Sequence, residues 1–383
     1  IIIRARLRWR WIGLPFPLLA FVALTILSIA WSDYRQWTVV GAVSTIATVV
    51  GAFALALTFT LPELIRLLGH ALRIILAASI LFELVVSTFV GHPFTPWWTH
   101  YATIHPADYW SRDLLFKGDR IQGIMGNSDL LGFVALLGVI VFAIEFASRS
   151  IPRVASAIFL VVAIVDIALT RSATVFVAGV IVAVAAIVLL LIRRASTPRA
   201  RRAAWVGSLV VVVLGILGVI LAHGAILKLL GKTSTLTGRT GIWKAVVSLA
   251  EQRPVAGWGW MSYWVPNVPP YDIKAFRIHG IQYLQAHDAW LDVWVQLGII
   301  GLVVFAALAI STLVRAWEIA IDRPQLGAGK VGTYDPATLL PVLVLIALLD
   351  PHIATRRLLI EYGLLLLALI AIKTKRPDAP AET

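Results

Sequence analysis

The sequence predicts an all-α fold, a polytopic bundle of transmembrane helices carrying a long, partly helical loop outside the bilayer. Three observations predict it. The 383 residues are 60% hydrophobic and only 14% charged, whereas soluble chains average about 45–50% apolar and about 25% charged. Uncharged runs such as Leu18–Ala30 and Ala173–Ile192 approach or reach the roughly 20 residues needed to cross a bilayer core of about 30 Å. Finally, basic residues collect in alternate connectors, as the positive-inside rule requires.

Hydropathy places about ten spans, near 11–30, 38–61, 68–91, 123–147, 153–170, 173–192, 203–223, 288–312, 336–350 and 358–372. Together they form a single membrane domain over 1–383. The chain opens at Ile1 without methionine, and Ile1–Ile3 before Arg4, Arg6, Arg8 and Arg10 reads as the tail of an earlier apolar segment. More sequence is therefore expected upstream. Placing those arginines inside also places Arg66, Arg149 with Arg153, Arg193–Arg202, Arg315 with Arg323 and Lys330, and Lys373–Arg376 inside. Much of the net charge of +13 is thus topological and does not call for nucleic acid. Both termini of this chain are expected on the inner, cytoplasmic side of the membrane.

The opposite side receives two long segments, 92–122 and 224–286, rich in Trp, Tyr, Pro and Gly. Loops beyond about 12–15 residues are functional or disordered, and this aromatic content argues for order. Cysteine is absent, which excludes disulfides, a thiolate nucleophile and cysteine-ligated metal. The eight histidines show no close helical ligand pair. There is no P-loop and no Ser-centred elbow, so ATP hydrolysis is not expected. Neither a metal nor a cofactor is called for.

Several residues carry the chemistry. Thr237-Gly238-Arg239-Thr240-Gly241-Ile242-Trp243 precedes Ile242, Val246 and Leu249 at helical spacing, so a helix starts near Thr240. Arg239 then stands beside free amides and a positive dipole end, a combination suited to a phosphate or diphosphate; the plainer alternative is a surface arginine. Gly257-Trp258-Gly259-Trp260 is a turn, its tryptophans suited to stacking on sugars or to anchoring at the interface. His287 sits where a membrane helix emerges, as a general base or an interfacial polar residue. Asp288 and Asp292 share a helix face as solvated charges. Arg171, in a turn too short to leave the membrane surface, is suited to a lipid headgroup phosphate. Glu83, Glu145, Asp166 and Asp350 lie in or near spans and mark either an ion path or pairs within the bundle.

Gly238-Arg239 with Trp243, the Gly257/Gly259 turn, and His287 followed by Gln296-Leu297-Gly298 and Gly301 together resemble the O-antigen ligase and polymerase superfamily. Arg171-Ser172 after a span and Gly126-Asn127 opening another add to the resemblance, which covers roughly 120–315. Two positions depart from the usual pattern, with Asp288 where Asn is common and Thr170 where Ser is common. Members commonly have about twelve spans, matching about ten here plus a missing N-terminal pair.

The resemblance implies transfer of a glycan from a polyprenyl-diphosphate carrier to an acceptor hydroxyl on a glycolipid, glycan or protein, at the outer face of the cytoplasmic membrane and without nucleotide or metal. It implies that Arg239 and Arg171 bind the diphosphate and that His287 takes the acceptor proton, with inversion at the anomeric carbon. It further implies substrate contacts from Gly238, Trp243, Asn127, Trp258 and Trp260. Polymerisation of lipid-linked repeats is the alternative within the superfamily. A transporter or lipid flippase is the alternative outside it, motivated by Glu145, Asp166 and Asp350, but no symmetry between halves supports that.

Overall fold

The computed structural model describes residues 14–97, 104, 108–195, 197–221, 239–261, 264–265, 268, 271, 277–278, 281–282, 284–322, 339–350 and 361–375. The N-terminal arginines, residues 222–238 with Gly238 among them, and residues 323–338 lie outside them. In chain order the α-helices are α1 (Phe16–Leu27), α2 (Arg35–Thr58), α3 (Leu61–Val85), α4 (Ser128–Ser148), α5 (Arg153–Thr170), α6 (Ala173–Arg194), α7 (Pro198–Leu221), α8 (Arg239–Ala250), α9 (Ala289–Trp317), α10 (Leu340–Leu349) and α11 (Tyr362–Lys375). The extended exceptions among the described residues are a two-stranded antiparallel hairpin, β1 (Arg277–Ile278) with β2 (Ile281–Gln282), and a single bridge between Phe94 and Ser111.

Local chemistry sets several helix ends. Thr60 and Glu63 form a capping box at the start of α3, where the Glu63 carboxylate accepts the Thr60 N–H at 2.7 Å. Asn127 caps α4 by accepting the Leu130 N–H at 3.0 Å. Glycine explains why α4 begins five residues later than hydropathy predicts. Gly123–Met125 is a 3-10 turn that closes on Gly126 at φ 62°, a conformation glycine adopts without cost.

Among the described residues six helices are long and apolar enough to cross a membrane: Arg35–Thr58, Leu61–Val90, Ser128–Ser148, Arg153–Thr170, Ala173–Arg194 and Ala289–Ile321. That is fewer than the predicted number, and prolines account for part of the difference. The first predicted span starts at Phe16 in the structure, behind Pro15 and with Pro17 in its first turn, leaving the shorter apolar stretch Phe16–Ala30. The ninth ends at Leu349, just before Asp350-Pro351, where a helical conformation is disfavoured.

The chain divides into two compact units. In the first, α1 packs on α2 and α9, α2 on α11, and α9 on α8 and α11. Its buried centre includes Phe21, whose ring meets Trp260 edge-on at 5.4 Å and Phe305 at 5.8 Å. In the second, α4 packs on α3 and α5. Gly132 lets α4 approach Val175 of α6, and Gly138 does the same at Leu76 of α3, the close approach small residues permit in a lipid solvent. Glu145 pairs there with Arg73, whose guanidinium also lies 5.1 Å over the Phe142 ring and 5.5 Å over Phe159. Asp166 is fully buried with both carboxylate oxygens lacking a hydrogen-bond partner.

Candidate active site

Arg239 is the first residue of α8, one residue before the predicted start. From there Ile242, Val246, Leu249 and Ala250 bury one face of the helix against Tyr34, Met261, Trp264, Tyr271 and Val295. This aromatic core is dry enough to push the Tyr34 phenol well above its ordinary range, with the Tyr271 phenol adding to the effect, and burial raises Tyr271 as well. The two hydroxyls bond each other at 3.1 Å. The loop segment around Trp264 and Tyr271 is thus a packed subdomain on the membrane helices.

Behind α8 the chain turns at Arg253-Pro254 and crosses the broken backbone of α9. Gly298 interrupts that helix at φ 66°, ψ −164°, and the free peptide groups on either side pair with the loop. The N–H groups of Trp258 and Gly259 donate to the carbonyls of Val295 (3.0 Å) and Gln296 (2.8 Å). Those of Ile299 and Ile300 donate to Pro254 (2.8 Å) and Val255 (3.3 Å). At the crossing the two chains touch backbone to backbone: a Cβ on Gly257 would strike Gln296 and Leu297, and one on Gly298 would strike Val255 and Ala256. The Gly257 turn and Gln296-Leu297-Gly298, 40 residues apart in sequence, are therefore two halves of one junction. It satisfies the Ile299 and Ile300 donors and the Val295 and Gln296 carbonyls at the break.

The loop tryptophans serve this junction. Trp260 has no exposed surface; its indole N–H donates to Thr45 at 2.9 Å, and Thr45 donates in turn to the buried Glu361 carboxylate at 3.0 Å. Trp258 is partly exposed, with its indole N–H on the Leu249 carbonyl at 2.9 Å and the Arg253 guanidinium 4.1 Å over its ring. Trp31 donates to the Ala256 carbonyl at 3.0 Å.

His287 sits at the mouth of α9, half-buried and held at φ 51°. This left-handed conformation is uncommon for a residue with a side chain. On its C-terminal side Asp288 caps α9, accepting the N–H groups of Trp290 and Leu291, both at 3.0 Å. On its N-terminal side the Ala286 N–H donates to both oxygens of Asp292 at 3.2 Å. The Ala286 carbonyl accepts the Trp243 indole N–H at 3.1 Å. Asp292, read from sequence as a solvated charge, is buried (2% exposed). The Gln285 side-chain nitrogen lies 3.4 Å from Nδ1 of His287.

Arg171 belongs to the second unit. It ends α5 in the left-handed region, φ 44° and ψ 34°, with an exposed side chain whose guanidinium lies beside Gly118. Its turn is clamped by residues that sequence reasoning passed over. Arg120 donates from Nε to the Thr170 carbonyl (3.0 Å) and pairs with Asp129 (2.5 Å), which also accepts the Ser172 hydroxyl (2.6 Å). Asp129 lies in the first turn of α4, two residues after the Asn127 cap; a charged residue opening an otherwise apolar helix was the signal available. The segment before it hangs on Glu83, whose buried carboxylate accepts the N–H groups of Gln122 (2.9 Å) and Gly123 (2.7 Å) and the Ser111 hydroxyl (2.7 Å). Glu83 is thus a structural acceptor that ties this segment to α3. Among the described residues no cluster of His, Cys, Asp and Glu is arranged to hold a metal ion.

Residues 157–306, which contain Arg171, Arg239 and His287, match the family described as O-antigen ligase. The chain is also similar to the exopolysaccharide production protein ExoQ of Rhizobium meliloti (strain 1021), 31% identical over 88 residues, or 22% of this chain. That similarity spans about a fifth (20%) of the relative's length. With the multi-pass helical architecture around them, both similarities support the O-antigen ligase and polymerase superfamily as the one this chain resembles.

Proposed function

We propose that this protein is a glycosyltransferase that moves a glycan from a polyprenyl-diphosphate carrier to an acceptor hydroxyl at the outer face of the bacterial cytoplasmic membrane, in the manner of an O-antigen ligase. The observation that carries the reading is the seat of His287. A half-buried imidazole stands at the head of a capped membrane helix, and the peptide before it is tied by Trp243 to α8, the helix that Arg239 opens. One indole N–H thus couples the two residues expected to act on opposite sides of the scissile bond.

In this reading His287 accepts the proton of the attacking hydroxyl, whose oxygen forms a bond to the anomeric carbon as the bond to the diphosphate breaks. The electron pair leaves with the diphosphate. By the resemblance, Arg239, which opens α8, is assigned the stabilisation of that developing charge, and Arg171 is assigned a phosphate contact. A single displacement inverts the anomeric centre, with no metal or nucleotide called for. Gly238, next to Arg239 in sequence, and Asn127, the cap of α4, are assigned further substrate contacts by the resemblance. Of the two loop tryptophans, Trp258 retains the exposed surface a sugar would need.

The test is transfer by purified protein in liposomes from a polyprenyl-diphosphate-linked oligosaccharide. Arg239→Ala and His287→Ala are each expected to lower the rate by about 100-fold or more, the usual scale for a lost general base or charge-stabilising donor. Full activity in both variants overturns the reading. The relative's name, exopolysaccharide production, favours polymerisation as a second reading. Supplying the lipid-linked repeat as the sole saccharide separates the two, since only a polymerase would lengthen it.

A further inference from the structure

We propose that Asp292 and Trp243 are positioning residues for His287, acting from either side of the Ala286 peptide. A left-handed φ is unfavourable for a residue bearing a Cβ and persists only where the surroundings over-determine it. The surroundings of His287 do so. Ala286 is fully buried, its N–H held by both oxygens of Asp292 and its carbonyl by the Trp243 indole. Asp288 is fixed by capping α9, and the Asp292 N–H donates back to the Asp288 carbonyl at 3.0 Å. With residues 286 and 288 both immobilised, residue 287 is left one backbone path between them.

Asp292 is poorly explained by any other role. Its carboxyl group is buried in the first turn of a membrane helix, where an apolar residue would stabilise the bundle at least as well. Its hydrogen bonds go to the residue before the histidine. Trp243 is similarly specific: phenylalanine would fill the same pocket without supplying the N–H. The role of Trp243 is then to aim the imidazole from α8, and substrate contact is not needed to account for it.

This inference rests on the reading of His287 as the base, so two measurements are needed, one independent of activity. The first is steady-state transfer in the liposome assay. Asp292→Leu and Trp243→Phe are expected to lower kcat by up to about 100-fold, the scale of a 1 Å misplacement of a catalytic group, with KM little changed. Asp292→Asn, which keeps an acceptor for the Ala286 N–H, is expected to retain most of the rate. The second is the rate at which diethyl pyrocarbonate modifies His287 in the full-length protein, followed by peptide mass spectrometry. It should change several-fold in Asp292→Leu and Trp243→Phe and stay near wild type in Asp292→Asn. An unchanged modification rate in the first two variants overturns the positioning role. A changed rate with unimpaired transfer upholds it and overturns His287 as the base. Should Asp292→Leu fail to fold, Trp243→Phe alone decides.

Discussion

At the scale of single residues, the junction between the Gly257 turn and the break in α9 is the most demanding point of the fold. Gly298 needs a conformation close to glycine-only territory, and the Val255 carbonyl occupies the place a Cβ would take. Gly298→Ala therefore carries a backbone cost of about 1–3 kcal/mol before the collision with Val255 is counted. Thermal unfolding in detergent should show the variant clearly less stable, or not recoverable as folded protein. Gly51→Ala is the matched control. That glycine lies inside α2, with open space where a methyl group would go, so alanine should be neutral or stabilising by up to about 1 kcal/mol. Equal behaviour of the two variants would refute the junction as described. The sequence marked both glycines as turn or helix features, yet gave no sign that they face each other. Alanine-sized steric exclusion between segments 40 residues apart is a tertiary property, and neither segment carries it alone.

At the scale of elements, what was legible was whatever repeats along the chain. Spans α4 to α6 follow from predominantly apolar runs flanked by basic residues, and α8 from the spacing of Ile242, Val246 and Leu249. What was not legible was the use to which polar residues are put. Trp260 reads equally as a sugar platform or an interfacial anchor, and only the fold shows it buried on Thr45. Glu83 and Asp292 read as an ion-path residue and a solvated charge. Each in fact accepts backbone N–H groups from a neighbouring segment. Such groups are costly to bury unpaired, so these carboxylates act as structural clasps. For Glu83 the consequence is direct. Glu83→Ala orphans the Gln122 and Gly123 amides and the Ser111 hydroxyl together, and buried unsatisfied donors cost about 1–3 kcal/mol each. The segment 111–123 should then open locally, read as faster hydrogen exchange or proteolytic cleavage there while the helices of the bundle stay protected. Glu83→Gln, retaining an acceptor oxygen, should lie between wild type and Glu83→Ala. Protection of 111–123 unchanged by Glu83→Ala would show the clasp to be dispensable.

At the scale of the whole molecule, the proposed chemistry requires one orientation, which we propose from charge and hydropathy. The segment 108–127 carries Arg112, Lys117 and Arg120 beside Asp108, Asp113 and Asp119, and the Arg193–Arg202 connector is basic, so counting cations alone does not separate inside from outside. The helices between them do. Ser128–Ser148, Arg153–Thr170 and Ala173–Arg194 are each long and apolar enough to cross once, and three crossings put the two ends on opposite sides. The positive-inside rule assigns the Arg193–Arg202 side to the cytoplasm because the short connectors sharing it are basic too. The cations of 108–127 are in large part spoken for: Lys117 by Asp113 at 2.5 Å, Arg120 by Asp129. They contribute little free charge to hold that segment inside. The cysteine-free sequence makes the orientation directly measurable, since a single introduced thiol has no background. Phe116→Cys and Ala200→Cys replace exposed side chains on the two sides. In intact cells a membrane-impermeant maleimide should label position 116 alone, and position 200 only after lysis. Labelling of both before lysis, or of position 200 alone, would place the Arg171 turn in the cytoplasm and remove it from any chemistry on a glycan exposed at the outer face.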